Sequence, residues 1–175
     1  GNNIVGGPSA AEANVISGNG LYGLMIHENS GNVVQGNLIG TDVTGAVAVP
    51  NRYGIRIETF NGSFRPSNNT IGGMDPAERN VISGNTIDGV NLLLGNGLNN
   101  MIVGNLIGLS SLGTPLGNGG HGINREADFA FAGDTSIGPG NVIAHNGGDG
   151  VYVGTGTAHA IRNNSVHSNA GLGID

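Results

Sequence analysis

The feature that most constrains this chain is that it repeats. Asn14-Val15-Ile16-Ser17-Gly18-Asn19 returns as Asn80-Val81-Ile82-Ser83-Gly84-Asn85, and in altered form as Asn141-Val142-Ile143-Ala144-His145-Asn146. Gly36-Asn37-Leu38-Ile39-Gly40 returns as Gly104-Asn105-Leu106-Ile107-Gly108. Between them stand Gly23-Leu24-Met25-Ile26, Gly54-Ile55-Arg56-Ile57, Gly89-Val90-Asn91-Leu92 and Gly150-Val151-Tyr152-Val153. These short units alternate apolar and polar residues and are bounded by Gly or Asn, which is the pattern of brief strands; no helical period is present. A repeated unit this small cannot bury its apolar face alone and must stack on its neighbours.

The units fall into three columns that always follow one another in the same order. The Gly-aliphatic segments form the first and continue through Gly122-Ile123 to Gly173-Ile174. The second centres on Val5, Val34, Ile71, Ile102, Ile137 and Ile161, and the third on Ile16, Ile39, Ile82, Ile107, Ile143 and Val166. Three strands per turn over five to six turns predict an all-β, single-stranded, right-handed parallel β-helix with three sheets and the aliphatic columns inside. One Asn precedes each third-column strand: Asn14, Asn37, Asn80, Asn105, Asn141 and Asn164. This reads as a structural ladder at a sharp corner, where Asn tolerates the left-handed backbone and its amide bonds to neighbouring coils.

Composition fits such a coil. There are 35 glycines, no Trp or Cys and only 4% aromatic residues, so the interior must be built from small stacked aliphatics. All six basic residues are Arg, against 12 acidic ones, and a net charge of −6 argues against a nucleic-acid partner. No apolar stretch approaches the ~20 residues of a membrane span. Gly147-Gly148-Asp149-Gly150 lacks the repetition and Asp placement of a glycine-rich calcium repeat, and no zinc spacing, phosphate loop or dinucleotide fingerprint is present, so no metal or cofactor is expected. Residues 1–175 read as a single segment that begins and ends mid-coil, hence as part of a longer array prone to end-to-end self-association.

The Asn-Val-Ile-Ser-Gly-Asn and Gly-Asn-Leu-Ile-Gly-Thr-Asp lines resemble the right-handed parallel β-helix repeats of bacterial secreted and surface proteins. The resemblance spans essentially the whole chain. It implies a secreted or cell-surface location and a structural, adhesive or carbohydrate-binding module, with a carbohydrate or a surface protein as partner. The same scaffold carries pectate lyases and related enzymes, so a polysaccharide-active enzyme, a uronan lyase or glycoside hydrolase, is the alternative.

Candidate chemistry gathers on the first column. Its outward positions read Met25, Arg56, Asn91, Asn124 and Tyr152, then His27, Glu58, Leu93 and Glu126. With rungs ~4.8 Å apart, Arg56, Glu58, Asp88, Asn91, His121 and Glu126 line a candidate groove suited to acid–base work on a sugar. The simpler reading is ordinary surface polarity, and no catalytic residue is assigned. Insertions at 41–53 and 109–121, and at 58–68 and 125–134, would wall this groove. The last pair carries all four phenylalanines, Phe60, Phe64, Phe129 and Phe131, as sugar-stacking faces or a satellite core. Arg125 stands where the template demands an inward aliphatic. The cost of burying it predicts an early strand end, with Arg125 turned out toward Glu126 or Asp128.

Overall fold

The computed structural model describes residues 1–59, 65–93, 97–126, 134–154 and 159–175. It is a parallel β-helix. The first sheet contains β3 (Tyr22–His27), β6 (Tyr53–Glu58), β9 (Val90–Leu93), β12 (Ile123–Glu126) and β15 (Val151–Val153). The second contains β1 (Ile4–Gly6), β4 (Val33–Gln35), β7 (Thr70–Gly72), β10 (Asn100–Val103), β13 (Thr135–Ile137) and β16 (Ala160–Ile161). The third contains β2 (Val15–Ile16), β5 (Leu38–Ile39), β8 (Val81–Ile82), β11 (Leu106–Ile107), β14 (Val142–Ala144) and β17 (Ser165–His167). Every pairing between named strands is parallel and joins a strand to its counterpart one coil away, as the columns predicted.

In-register stacking fixes the core. Ile26, Ile57 and Leu92 line one inward row; Val34, Ile71, Ile102 and Ile137 line another; Ile39, Ile82, Ile107 and Ile143 line the third. All are buried in one cluster. The glycine that opens each first-sheet strand has a packing reason. A Cβ at Gly54 would stand 2.5 Å from the carbonyl oxygen of Gly89 and 2.8 Å from Cγ2 of Ile82, so only a bare backbone fits there.

Asparagine ladders run down all three corners, not one. Before the third sheet, Asn14, Asn37, Asn80, Asn105, Asn141 and Asn164 pass side-chain hydrogen bonds of 2.8–3.1 Å from each Nδ2 to the next Oδ1. Before the first sheet, Asn19, Asn51, Asn85, Asn118, Asn146 and Asn169 do the same. Before the second sheet the series Asn3, Asn32, Asn69 and Asn100 stops, because Thr135 is the register partner of Asn100. The interior rungs are almost wholly buried, and most also give or take main-chain bonds, so few amide groups in them lack a partner.

The expectation that the ladder Asn itself takes the left-handed backbone is corrected. Where a corner uses positive φ it falls on the residue before the ladder Asn, as at Gly36, Gly104 and Gly140 before Asn37, Asn105 and Asn141, and at Asn68, Asn99 and His145 before Asn69, Asn100 and Asn146; Asn80 instead follows Arg79 at φ −67°. That residue turns the corner, which frees the ladder Asn to aim its amide along the stack.

Arg125 also departs from expectation. β12 runs on to Glu126, with Arg125 in register between Leu92 and Val153 and only 1% exposed. Pairing on both sides holds the strand, and leaving it would forfeit ladder bonds to two neighbours. The guanidinium therefore stays inside, where Nη1 donates to the Glu126 carbonyl at 2.8 Å. Asp128, its other expected partner, lies outside the described residues, as do Phe60, Phe64, Phe129 and Phe131.

The insertions after the third sheet do not wall the first. Thr41 bridges Ala48, and Leu109 bridges Pro115, each in antiparallel fashion. The two insertions then touch across the intervening coil, the Ser111 amide donating to Gly45 O at 2.9 Å and the Ser111 hydroxyl to Thr44 O at 2.7 Å. Leu109 packs with outward-facing Val81 and Leu106 and with Ala144, flanked by Leu38 and Val142. The outer face of the third sheet is thus apolar and partly covered by this pair.

Candidate functional site

The outer rows of the first sheet have the register expected from the sequence. Met25, Arg56, Asn91, Asn124 and Tyr152 stand on successive rungs, and His27, Glu58, Leu93 and Glu126 form the row beyond. Strong polarity at the outward positions of a regular sheet puts five of these side chains into one connected network.

Arg56 is the hub. Its Nε donates to Glu58 Oε2 and its Nη1 to Asn91 Oδ1 at 3.0 Å. Its guanidinium carbon also lies 5.4 Å from the Tyr22 ring centre and 5.8 Å from that of Tyr53, two rings tilted at 39° to each other. Such placement combines charge-assisted bonds with cation–π attraction. Asn91 Nδ2 donates to Asp88 Oδ2 at 2.9 Å, and Asn124 Nδ2 reaches the same oxygen at 2.9 Å. Asp88 Oδ1 accepts the main-chain N–H of His121 at 2.9 Å. Asp88 is therefore a buried clasp that ties its own coil to the next. Asp149 does the same two coils later for the amide of Leu172.

His121 belongs to a second, smaller group. Its Nδ1 lies 3.0 Å from the Asp149 amide nitrogen and 3.2 Å from Asp149 Oδ2. The ring stacks on Tyr152 with centres 4.9 Å apart. Glu126 is exposed on the row of Glu58, two rungs and so roughly 10 Å away. Of the six expected groove residues, the structure joins Arg56, Glu58, Asp88 and Asn91, and it links His121 through its main chain. Glu126 stands apart.

The arrangement holds planar groups rigidly but leaves little for acid–base chemistry. Glu58 is paired with Arg56 and lies 3.4 Å from His27 Nδ1, and Asp88 accepts three hydrogen bonds. Among the described residues no three His, Asp or Glu side chains gather as a metal site.

Sequence reasoning left Tyr22, Tyr53 and Asn124 out of the groove, although all occupy template positions of the same column. It also missed a concave patch on the third sheet, lined by Ala13, Val15, Leu38, Val43, Ala77 and Arg79. The signal for that patch was present in the outward aliphatics Val15 and Leu38, which a solvated sheet would not carry. Comparison with protein-family models, curated proteins and solved structures yields no match.

Proposed function

We propose that the chain is a rigid binding module of an extracellular or cell-surface protein, and that the first-sheet face of β3, β6, β9 and β12 holds a neutral, hydroxyl-rich carbohydrate. The observation that carries this reading is the Arg56 hub: a guanidinium fixed over two tyrosine rings and bonded to a clamped amide row. Preset planar donors and aromatic faces suit sugar hydroxyls and C–H faces, because little side-chain entropy is lost on binding. The resemblance to secreted β-helix repeats supports the location.

Charge favours a neutral sugar. Glu58, Asp88, Glu126 and Asp149 stand on this face against the guanidinium groups of Arg56 and of Arg52, the latter 5.8 Å from the Tyr53 ring centre, so acidic groups outnumber basic ones and a uronate would meet repulsion. The engaged state of Glu58 and Asp88 weighs against a lyase or hydrolase.

A glycan array bearing neutral and uronic-acid oligosaccharides tests the proposal. Binding to neutral glycans is expected to fall by about tenfold or more in Arg56→Ala, equivalent to ~1.4 kcal/mol, with no depolymerisation of either class. Binding that persists in both Arg56→Ala and Tyr22→Ala would move the site elsewhere. Cleavage of uronan would replace the binding reading with the enzymatic one.

A further inference from the structure

The inner side of β12 carries a feature the surface reading does not use. Arg125 occupies an inward position that Leu92 fills one coil before and Val153 one coil after. It is the largest fully buried side chain among the described residues, and burial pulls its pKa below the usual guanidinium value. Only Nη1 is bonded, to Glu126 O; Nε and Nη2 have no hydrogen-bond partner among the described residues. Leaving a buried cation this way is among the costliest arrangements a protein interior can hold.

The two unpaired nitrogens are not arbitrary. Nε–H and Nη2–H point the same way from one edge of the guanidinium plane, the fork that takes both oxygens of a carboxylate side by side. The Nη1 bond fixes that plane, so the fork is set in advance. The next inward corner of the same coil is Thr135, where the second-sheet ladder breaks. Its hydroxyl is buried and also lacks a partner. The four rungs before it at that corner, Asn3, Asn32, Asn69 and Asn100, all carry Asn, and His159 follows one coil later. The interruption of the ladder and the intrusion of the cation thus fall in one coil. Thr135 further lines a surface pocket with Asn99, Met101, Asp134, Ser136 and Ala160, which places this corner next to solvent.

We infer that the coil of β12 and β13 encloses a binding site for a small carboxylate, held bidentately by Nε and Nη2 of Arg125 with the Thr135 hydroxyl beside it. The site lies inside the coil, opposite the face proposed for carbohydrate, and stands or falls independently of it.

Thermal unfolding in sodium formate, exchanged for sodium chloride at constant ionic strength, reads the site directly, since chloride has no second oxygen for the fork. The wild-type midpoint should rise saturably with formate, on the order of 5 °C at saturation. Arg125→Met should show no such rise, and Asp128→Asn should rise as the wild type does. Should Arg125→Met not fold, Arg125→Lys replaces it, with formate affinity expected to fall by about tenfold or more because lysine offers no fork. A carbon-13 formate signal that broadens saturably with the wild type, and not with the substituted protein, is the second readout. A wild-type midpoint and formate signal that both ignore formate would overturn the inference. So would an equal rise in Arg125→Met, or an effect abolished by Asp128→Asn, which would assign the counter-charge to the chain itself.

Discussion

The corners leading into the first and third sheets differ from the corner leading into the second. The first two carry six asparagines each, bonded without interruption from coil to coil. The last has four, then Thr135, with His159 one coil further on in register. Connections longer than a tight turn enter near all three. What separates the corners is whether an amide bridges the rung, and the buried cation Arg125 stands in the same coil as the gap. Uniform amide columns let a coil tolerate variable loops; where the column ends, the interior becomes polar and locally specific.

The sharpest way to break this contrast is to remove a central rung. Asn80 accepts two bonds from Asn37 and donates to Asn105 Oδ1 and Val34 O. Asn80→Ala strands these groups and should cost about 3 kcal/mol, lowering the melting midpoint by roughly 6–12 °C. An unchanged midpoint would show that the ladder accompanies the fold without supporting it.

The converse change repairs the broken corner. Thr135→Asn offers Asn100 the acceptor its predecessors have, and should stabilise by about 1 kcal/mol in denaturant unfolding. A loss of stability would mean that the gap is required by what surrounds Arg125. The smallest effect concerns an insertion instead of a corner. Hydrogen bonds from the Thr44 hydroxyl and the Val47 amide hold the Asp42 carboxyl below its ordinary pKa of 3.8. A depressed pKa contributes stability above the unfolded value, and that contribution is lost as pH falls through the folded one. The midpoint of Asp42→Asn should therefore change less than that of the wild type between about pH 5 and pH 2.

The fold was legible because its signal is redundant: each inward aliphatic recurs in its column, and parallel register leaves no freedom to place it elsewhere. One Asn ladder was legible because Asn14, Asn37 and their successors sit immediately before an aliphatic pair. The ladder of Asn19, Asn51 and Asn85 was hidden by distance. Three residues separate Asn19 and Asn85 from the strand glycine but only two separate Asn51, and in an asparagine-rich chain such positions resemble ordinary turns. Arg125 was misread because the cost of burying a guanidinium is visible in a sequence, whereas the pairing that holds it on both sides is not. The outward rows were placed correctly, yet which of their residues bond depends on side-chain reach, as with Asp88 gathering both Asn91 and Asn124.

The amide columns also give the molecule a direction. Along each column a rung donates from Nδ2 to the Oδ1 of the coil that follows and offers its own Oδ1 to the coil before, so these side-chain bonds align head to tail and reinforce one another. A stretch of sequence cut from one corner to the same corner a turn later presents complementary upper and lower amide surfaces. Copying it adds length while every amide finds its mate, and a stretch cut elsewhere does not. Growth by whole turns is therefore the inexpensive path for such a chain to lengthen, and the loops are free to diverge afterwards.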